Sequence, residues 1–195
     1  MIKDLIKDKN HKIFENVFTI YPDIFEDERG FFYESWNKRK LEIFTNRQIN
    51  FVQDNHSCSK AGVIRGLHFQ LHPFEQAKLI RVINGEIFDV FIDLRKNSET
   101  FKSWGAVILN DTNKKMLWLP EGFAHGFLSL KDNTEVSYKV NNYWHSDLER
   151  TLIWNDKEVN IEWPIDTYKF KKLFISKKDR AGLSLNEIIS KGDIF

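Results

Sequence analysis

The chain has a single cysteine, Cys58, among 195 residues. One thiol excludes an internal disulfide and any zinc site built from several cysteines. Cys58 lies in a polar run, His56 to Lys60, with no obvious flanking base to activate a thiolate. We therefore assign it no catalytic role.

Long hydrophobic runs are also missing. No stretch of about 18 apolar residues occurs, so no segment is predicted to span a membrane. The first residues, Met1 to Lys12, alternate charged residues with isoleucine and leucine and lack the apolar core of a signal peptide. These features predict a cytoplasmic protein.

Neither sign of charge is in excess, since 29 Lys and Arg face 28 Asp and Glu and leave a net charge of +1. Nucleic-acid-binding proteins normally carry a basic excess, so we expect no nucleic-acid partner. The sequence has no Gly-rich phosphate loop of the Walker or Rossmann type and no Gly-x-Ser-x-Gly elbow. Any phosphate must therefore be held by side chains, and the commonest hydrolase signature is missing.

Aromatic residues are abundant instead. Seventeen Phe and six Trp, with only nine Gly and four Pro, favour strands with bulky inward faces. Short apolar runs separated by turn signals are typical of a sandwich or small barrel, and helical spacing occurs only at Asn37–Phe44 and Leu183–Ile189. We predict a mainly antiparallel β structure in one domain spanning 1–195. The predicted strands outside the central hairpin are Val17–Ile20, Phe31–Trp36, Phe51–Asp54, Val63–Phe69, Ala106–Leu109, Met116–Leu119, Ala124–Leu130 and Glu135–Val140.

Asn84-Gly85 separates two apolar stretches, Leu79–Ile83 and Ile87–Leu94. This dipeptide is the strongest short signal for a β-hairpin, so we predict that the two stretches pair. Alternate positions of the second stretch combine two aspartates, one of them Asp89, with large apolar side chains. Such a mixed face either meets solvent or lines a cavity.

His68 is the first candidate for chemistry. It lies in RGLHFQ (Arg65–Gln70), and Lys78 follows ten residues later. If their strands are neighbours, both side chains face one pocket, where a neutral imidazole suits proton abstraction and an ammonium suits a developing oxyanion. Taken alone, the residues also fit a core histidine with a satisfied hydrogen bond.

A metal site requires a separate test, because small β-barrels often bind metals through histidines. Gln70 occupies the position where metal-binding cupins carry the second histidine of a His-x-His pair. His68 and His72 are four residues apart, a spacing that suits a helix rather than a strand. A site formed by these two with His125 stays geometrically open, but we predict no metal.

Two further residues have both structural and functional interpretations. His125 lies between Gly122 and Gly126, which suggests a turn that approaches either a ligand or a bulky aromatic group. Arg29 lies in a turn that leads into a strand, and an arginine at the edge of a site suits bidentate contact with phosphate.

Taken together, the motifs resemble the dTDP-4-dehydrorhamnose 3,5-epimerases, which are metal-free cupins of bacterial rhamnose biosynthesis. The resemblance extends from about Val17 to Leu183. Each motif is weak by itself, but their number, order and spacing are specific. They are DERGFF (Asp27–Phe32) with Glu34, VQDNHS (Val52–Ser57), RGLHFQ (Arg65–Gln70), QAKL (Gln76–Leu79), GEIFDV (Gly85–Val90), DLR (Asp93–Arg95), LWLPEGFAHGF (Leu117–Phe127), Tyr138-Lys139, Trp154-Asn155-Asp156 and SKKD (Ser176–Asp179).

The resemblance implies a cupin-type jelly-roll barrel with a few short helices, assembled as a homodimer whose N-terminal strands cross to the partner. The implied substrate is a nucleotide-linked 4-keto-6-deoxy sugar, foremost dTDP-4-dehydro-6-deoxy-D-glucose, which is converted to dTDP-4-dehydro-L-rhamnose. The 4-keto group acidifies the hydrogens on C3 and C5, so a base removes either one and a proton returns to the opposite face. No cofactor is required.

The resemblance also assigns residue roles. His68 corresponds to the base and Asp179 to the carboxylate that orients it. Lys78 corresponds to the group that stabilises the enolate, and Tyr138 to the acid that protonates the opposite face, notably at C5. The substrate-binding residues implied are Arg29 and Arg65 for the diphosphate, Phe32, Glu34, Gln53 and Asn55 for base and ribose, and His125 and Asp89 as secondary pocket residues.

Strand alternation conflicts with one of these assignments. Strict alternation places Arg65 and His68 on opposite faces of one strand. Both can serve one site if Gly66 permits a bulge, or if Arg65 reaches around the end of the strand.

Several positions depart from the family pattern and concern the substrate. Trp144 replaces a usual tyrosine, Thr151 and Ala77 replace usual glycines, and the segment Ile165–Lys172 is longer and more basic than usual. The alternatives are therefore a C3-only epimerase or an epimerase of another nucleotide-linked 4-keto sugar, including a heptose. A non-catalytic sugar-nucleotide-binding cupin would be expected to lack His68 or Tyr138, and a metal-dependent cupin isomerase or oxygenase is disfavoured by Gln70.

Overall fold

Two antiparallel β-sheets and a small separate hairpin make up most of the structure, a computed structural model that describes all residues, Met1–Phe195. The strands are β1 (Ile2–Lys7), β2 (Ile13–Tyr21), β3 (Phe25–Asp27), β4 (Gly30–Phe32), β5 (Gln53–Ser59), β6 (Val63–Gln70), β7 (Lys78–Asn84), β8 (Glu86–Asp93), β9 (Trp104–Asn110), β10 (Met116–Leu119), β11 (Phe123–Ser129), β12 (Thr134–Val140), β13 (Glu149–Thr151) and β14 (Phe174–Ile175). The helices are α1 (Lys38–Thr45), α2 (Lys177–Arg180) and α3 (Leu185–Ser190). None of them has the length and apolarity needed to cross a membrane.

The order of the strands shows that the chain passes repeatedly from one sheet to the other. The first sheet has the order β1-β2-β10-β7-β12-β5, and the second has the order β13-β6-β11-β8-β9, with β14 parallel to β6. β3 and β4 form the separate hairpin. The predicted fold class, a mainly antiparallel β structure with a few short helices, is confirmed.

Large apolar side chains from both sheets fill the space between them. Phe14 and Ile80 from the first sheet pack with Phe91 and Phe127 from the second, and all four are almost fully buried. The rings of Phe14 and Phe91 meet edge to face, with centroids 5.0 Å apart. The abundance of phenylalanine thus serves the sandwich interior, as the composition predicted.

The outer faces of the sheets are covered by helical and irregular segments. Leu41 of α1 packs on the outer side of the first sheet, and α1 begins at Asn37, whose side chain accepts a hydrogen bond from the Lys40 N–H. Leu185 and Ile188 of α3 cover Val90 on the outer side of the second sheet. β8 is therefore buried on both faces.

The predicted hairpin at Asn84-Gly85 is wrong. Gly85, with φ of +83°, does turn the chain, but β7 lies in the first sheet and β8 lies in the second. β8 pairs with β11 and β9 instead, because a strand with two apolar faces suits a central position between neighbours. The mixed face of β8 points into the sandwich, where Asp89 is fully buried, so it lines the interior rather than meeting solvent.

Most other predicted elements are present with shifted ends. Met116–Leu119 agrees with β10, and both predicted helices occur within two residues of their expected starts. The predicted strand Phe31–Trp36 is wrong beyond Phe32, where β4 ends. β6 and β7 also belong to different sheets, so His68 and Lys78 are not on neighbouring strands.

Candidate active site

A cavity of about 320 Å³ is lined by residues of both sheets and by the connections between them. It contains most of the polar residues that the sequence motifs singled out. Its lining is Gln53, Asn55, Ser57, Arg65, His68, Gln76, Lys78, His125, Gly126, Phe127, Tyr138, Trp144, Glu149, Ser176, Lys178 and Asp179.

His68 and Asp179 form a hydrogen-bonded pair in this cavity. The imidazole Nε2 lies 2.6 Å from Asp179 Oδ1, and the His68 side chain is 31% exposed whereas that of Asp179 is 6% exposed. Burial by itself raises the pKa of Asp179, but the hydrogen bonds from His68 and Ser176 outweigh it and hold that pKa below its usual range. Because an ionised carboxylate accepts the Nε2 proton, the lone pair of a neutral His68 lies on Nδ1.

The short helix α2 brings Asp179 to His68 across 111 residues of sequence. Ser176 caps this helix, and its side-chain oxygen accepts a hydrogen bond from the Asp179 backbone N–H at 3.0 Å. β14, which immediately precedes the cap, pairs with β6. The strand that carries His68 therefore also anchors the segment that carries Asp179.

Lys78 opens β7 in the opposite sheet and is almost completely buried. Burial lowers the pKa of Lys78 to about 8, against the attraction of the Asp89 and Glu149 carboxylates, which raises it. Its ammonium donates a hydrogen bond to the backbone carbonyl of His68 at 3.2 Å. The sequence prediction that His68 and Lys78 reach one pocket thus holds, although the two strands face each other across the sandwich.

Tyr138 lies on β12, also in the first sheet, and its ring is largely buried against the interior core. Burial, with a smaller effect of the Glu149 carboxylate, raises the pKa of the Tyr138 phenol. The phenol therefore keeps its proton at neutral pH and is suited to donate it.

A second histidine–aspartate pair, His125 with Asp89, lies beside the first. His125 is the direct partner of His68 in the pairing of β11 with β6. Its Nε2 lies 2.9 Å from Asp89 Oδ1, and the His125 side chain is only 8% exposed. The other carboxylate oxygen of Asp89 is buried and has no hydrogen-bond partner.

The conflict between Arg65 and His68 is resolved by a bulge in β6. His125 pairs with His68 and Phe127 pairs with Arg65, so β6 carries one more residue than β11 between these two pairs. Gly66 has a φ of +103°, and a Cβ there would lie 2.6 Å from the His125 carbonyl oxygen. The bulge at glycine allows both side chains to line one cavity, as one of the two sequence alternatives required.

The cavity also contains residues to which the sequence analysis gave no role. Glu149 accepts a hydrogen bond from the Trp144 indole N–H at 3.0 Å and a second one from Lys178. The Trp144 backbone N–H donates to the Gln53 side chain at 3.1 Å. Lys178 is adjacent to Asp179 in the SKKD motif, so its position was a usable signal, whereas Glu149 carried none.

Four predicted substrate-binding residues do not line this cavity. One of them, Asp89, is fully buried and bonds to His125, which does line it. Arg29 and Phe32 lie on the separate β3–β4 hairpin, where the Arg29 side chain is 85% exposed and pairs with Asp27. Glu34 pairs with Lys40. Within one chain, the structure does not bring these three to the other predicted residues.

The histidines do not gather into a three-residue cluster. His68 and His125 are each paired with an aspartate, and His72 lies on an exposed turn where it contacts Glu75. No group of three or more His, Cys, Asp or Glu side chains suited to binding a metal ion is found.

Known proteins of similar sequence provide an independent comparison. The family model described as dTDP-4-dehydrorhamnose 3,5-epimerase matches residues 11–187. The chain is 52% identical over 150 residues to the dTDP-4-dehydrorhamnose 3,5-epimerase of Shigella flexneri, covering 77% of this chain and 83% of that protein. It is 46% identical over 175 residues to the enzyme of the same name from Salmonella typhimurium, covering 89% and 93%.

Solved structures of similar fold agree with this. The dTDP-6-deoxy-D-glucose-3,5-epimerase of Legionella pneumophila, solved with dTDP-4-keto-L-rhamnose, superposes with a TM-score of 0.87 at 38% identity and covers 97% of this chain and 96% of that chain. The Mycobacterium tuberculosis epimerase superposes with a TM-score of 0.91 at 31% identity, and the match covers 100% of this chain and 93% of that chain. A 3'-monoepimerase from Streptomyces bikiniensis, solved with dTDP-quinovose, superposes with a TM-score of 0.86 at 26% identity, and the match covers 92% of this chain and 89% of that chain. This chain belongs to the dTDP-4-dehydrorhamnose 3,5-epimerase family.

Proposed function

We propose that the protein inverts C3 and C5 of dTDP-4-dehydro-6-deoxy-D-glucose and thereby forms dTDP-4-dehydro-L-rhamnose. One observation carries the proposal. His68, which is paired with Asp179, and the protonated phenol of Tyr138 come from opposite sheets and line the same cavity. Epimerisation needs a base and an acid on opposite faces of one carbon, and two facing sheets supply that arrangement.

Each inversion starts with proton removal. Nδ1 of His68 takes the proton from C3, and the C–H electron pair moves into a C3–C4 double bond, which leaves negative charge on the C4 oxygen. Asp179 holds the imidazole and stabilises the imidazolium that forms. The Lys78 ammonium, fixed on the His68 carbonyl, stabilises the enolate oxygen.

Reprotonation completes the inversion. A proton returns to the opposite face of the carbon, and the C4 ketone re-forms as the electron pair returns. Tyr138 is the acid for this step at C5, where inversion completes the doubly inverted sugar. The new protons come from solvent or from protein groups that exchange with it, so solvent hydrogen becomes incorporated at each inverted carbon.

The nucleotide is expected where the exposed side chains of Arg65 and Trp144 line the cavity. Arg65 is exposed and donates hydrogen bonds to the Ser59 hydroxyl and the Cys58 carbonyl, and its guanidinium is suited to binding the diphosphate. Trp144 offers a flat aromatic surface for the base, and Gln53 and Asn55 offer amide groups beside it. The substrate is therefore proposed as a nucleotide diphosphate sugar.

We infer that two copies of the chain form a homodimer. Exposed large apolar residues are concentrated in the N-terminal part, including Ile2 at 70%, Phe25 at 65% and Phe32 at 69% exposure. Such a surface favours burial against a second copy. In that assembly, the β3–β4 hairpin, which carries Arg29 and Phe32, and nearby Glu34 would reach the partner's cavity, and light scattering of the purified protein tests the dimer.

A C3-only epimerase is the second candidate, because the chain resembles the Streptomyces bikiniensis 3'-monoepimerase in fold. Tyr138 favours double inversion, since an enzyme acting only at C3 has less need of that acid. Other nucleotide-linked 4-keto sugars, including a heptose, remain alternative substrates. A non-catalytic sugar-nucleotide binder is disfavoured by the presence of both His68 and Tyr138.

Proton NMR of dTDP-4-dehydro-6-deoxy-D-glucose incubated with the protein in D2O tests the proposal. We expect deuterium at both C3 and C5. Deuterium at C3 alone supports the narrower enzyme, and deuterium at neither carbon rejects both for this substrate.

A further inference from the structure

Gln70, the last residue of β6, stands at the position where a metal-binding cupin carries a histidine. It is 3% exposed. On β6 it lies two residues beyond His68, and alternation places both side chains on the same face. Neither the family resemblance nor the proposed chemistry gives it a task.

The Gln70 side chain uses both amide hydrogens and its carbonyl oxygen. Its Nε2 donates to the backbone carbonyls of Phe74, at 2.6 Å, and Tyr143, at 3.2 Å. Its Oε1 accepts from the backbone N–H of His145 at 2.6 Å. Two carbonyl acceptors and one N–H donor define the orientation of the amide.

These three bonds join two connections between the sheets. The segment 71–77 runs from β6 to β7, and the segment 141–148 runs from β12 to β13, so each crosses between the sheets at the cavity. The first carries Gln76 and the second carries Trp144, both of which line the cavity.

Further contacts hold the two segments together around Gln70. The Gln76 side chain donates to the Asn142 carbonyl at 2.8 Å, and the Asn142 side chain donates to the Glu75 carbonyl at 2.6 Å. The rings of Phe74 and His145 lie 4.9 Å apart. Gln70 is the member of this network that binds both residues flanking Trp144 in the chain.

We propose that Gln70 is a positioning residue that sets Trp144 and its segment at the edge of the cavity, and thereby determines affinity for the nucleotide. It does not line the cavity, so its contribution is to binding rather than to proton transfer. The inference rests on the proposed function only in naming the nucleotide as the group that meets Trp144.

Gln70→Met and Gln70→Glu test this role at nearly constant side-chain volume. Methionine removes all three bonds, whereas glutamate keeps the acceptor for the His145 N–H and turns a carboxylate toward two carbonyls. For both variants we expect the KM for dTDP-4-dehydro-6-deoxy-D-glucose and the Kd for dTDP to rise about tenfold, with kcat within about twofold of the parent. Hydrogen exchange in 141–148 should become faster.

Thr134→Val is the matched control. Thr134 is fully buried and bonds to the Lys131 carbonyl and the Glu86 N–H, but it does not line the cavity. The Thr134→Val substitution should lower Tm without changing KM, Kd or hydrogen exchange in 141–148.

Three outcomes would overturn the inference: a Gln70→Glu variant that behaves like the parent, a loss of kcat at unchanged KM, or unchanged hydrogen exchange in 141–148. Parent protein that binds dTDP but does not turn over the sugar counts against the proposed function alone, because the dTDP affinity still tests Gln70.

Discussion

Two histidine–aspartate pairs lie side by side, because their histidines face each other in the pairing of β11 with β6 in the second sheet. His68 is 31% exposed and opens into the cavity, whereas His125 is 8% exposed. The Asp179 carboxylate accepts hydrogen bonds from His68 and from the Gly66 backbone N–H, whereas Asp89 is completely buried and has one oxygen without a partner. The two pairs share their chemistry and differ in access.

Access decides which pair suits proton transfer. A base must reach the carbon that it deprotonates, and only His68 combines a carboxylate partner with a substantial exposed surface in the cavity. The His125 pair instead supplies a polar wall and, through Asp89, an attraction that keeps the Lys78 pKa from falling further. His68 and His125 are thus similar side chains on neighbouring strands, and the difference in their burial gives them different functions.

Replacing His68 should give the largest effect. His68→Asn keeps a polar group of similar size but removes the base, so kcat should fall by a factor of about 10³, within the range that general base catalysis contributes. Deuterium uptake at C3 and C5, followed by NMR, provides the measurement. The matched variant His125→Asn should lose less than about tenfold, and equal losses in both variants would refute the distinction between the pairs.

Asp179→Asn should come next. The amide removes the negative charge that stabilises imidazolium, so kcat should fall by about 10² with KM little changed. Because the folded-state pKa of Asp179 is below its usual value, the ionised Asp179 carboxylate stabilises the fold above the unfolded pKa, and this stability is lost as the pH falls through the folded pKa. Denaturant titrations should show a smaller acid-induced loss of stability in the variant, and a greater kinetic loss in Asp89→Asn would contradict the assignment.

Tyr138→Phe should separate the two carbons. Without the phenol on the opposite sheet, inversion at C5 should fall by about thirtyfold, whereas deuterium uptake at C3 should stay within about threefold. Product analysis by NMR at early times distinguishes the singly inverted sugar from the doubly inverted one. Equal loss at both carbons would show that Tyr138 does not divide the reaction in this way.

The buried Lys78 predicts a pH dependence of the rate that is small near neutral pH and grows in the alkaline range. Its pKa of about 8 means that the ammonium is lost above that pH, so the rate should fall toward tenfold per pH unit in the alkaline range. The sign for stability is opposite, because the unfolded state binds more protons between pH 8 and the ordinary lysine pKa, so Lys78 makes the fold more stable as the pH rises. Relative to Lys78→Met, a stability contribution that falls in this window would contradict the burial argument.

Much of the fold could be predicted from the sequence because alternation and turn residues act locally. β10 and the helix that follows Asn37 were predicted nearly at their observed ends. Asn84-Gly85 was correctly predicted to turn the chain, but the pairing inferred from it was wrong. A turn signal reports a local change of direction and contains no information about which distant strand offers the better partner.

The residue types of the site could likewise be predicted from motifs, with His68, Lys78, Tyr138 and Asp179 all lining one cavity. The place of Glu149 in the site could not be predicted, because its hydrogen-bond partners, Trp144 and Lys178, are 5 and 29 residues away in the sequence. The sequence identifies Gln70 only as the replacement of a metal ligand, because its three bonds to the crossing segments depend on the tertiary structure.

By itself, the sequence determined the family, the mainly β fold and the groups available for proton transfer, because ordered motifs and strand alternation are properties of residue order. Only the tertiary structure decided which histidine is accessible, how Arg65 and His68 share a face through the Gly66 bulge, and what lowers the Lys78 pKa. Those properties depend on exposure and on contacts between residues far apart in the chain, and they arise when the two sheets close on each other.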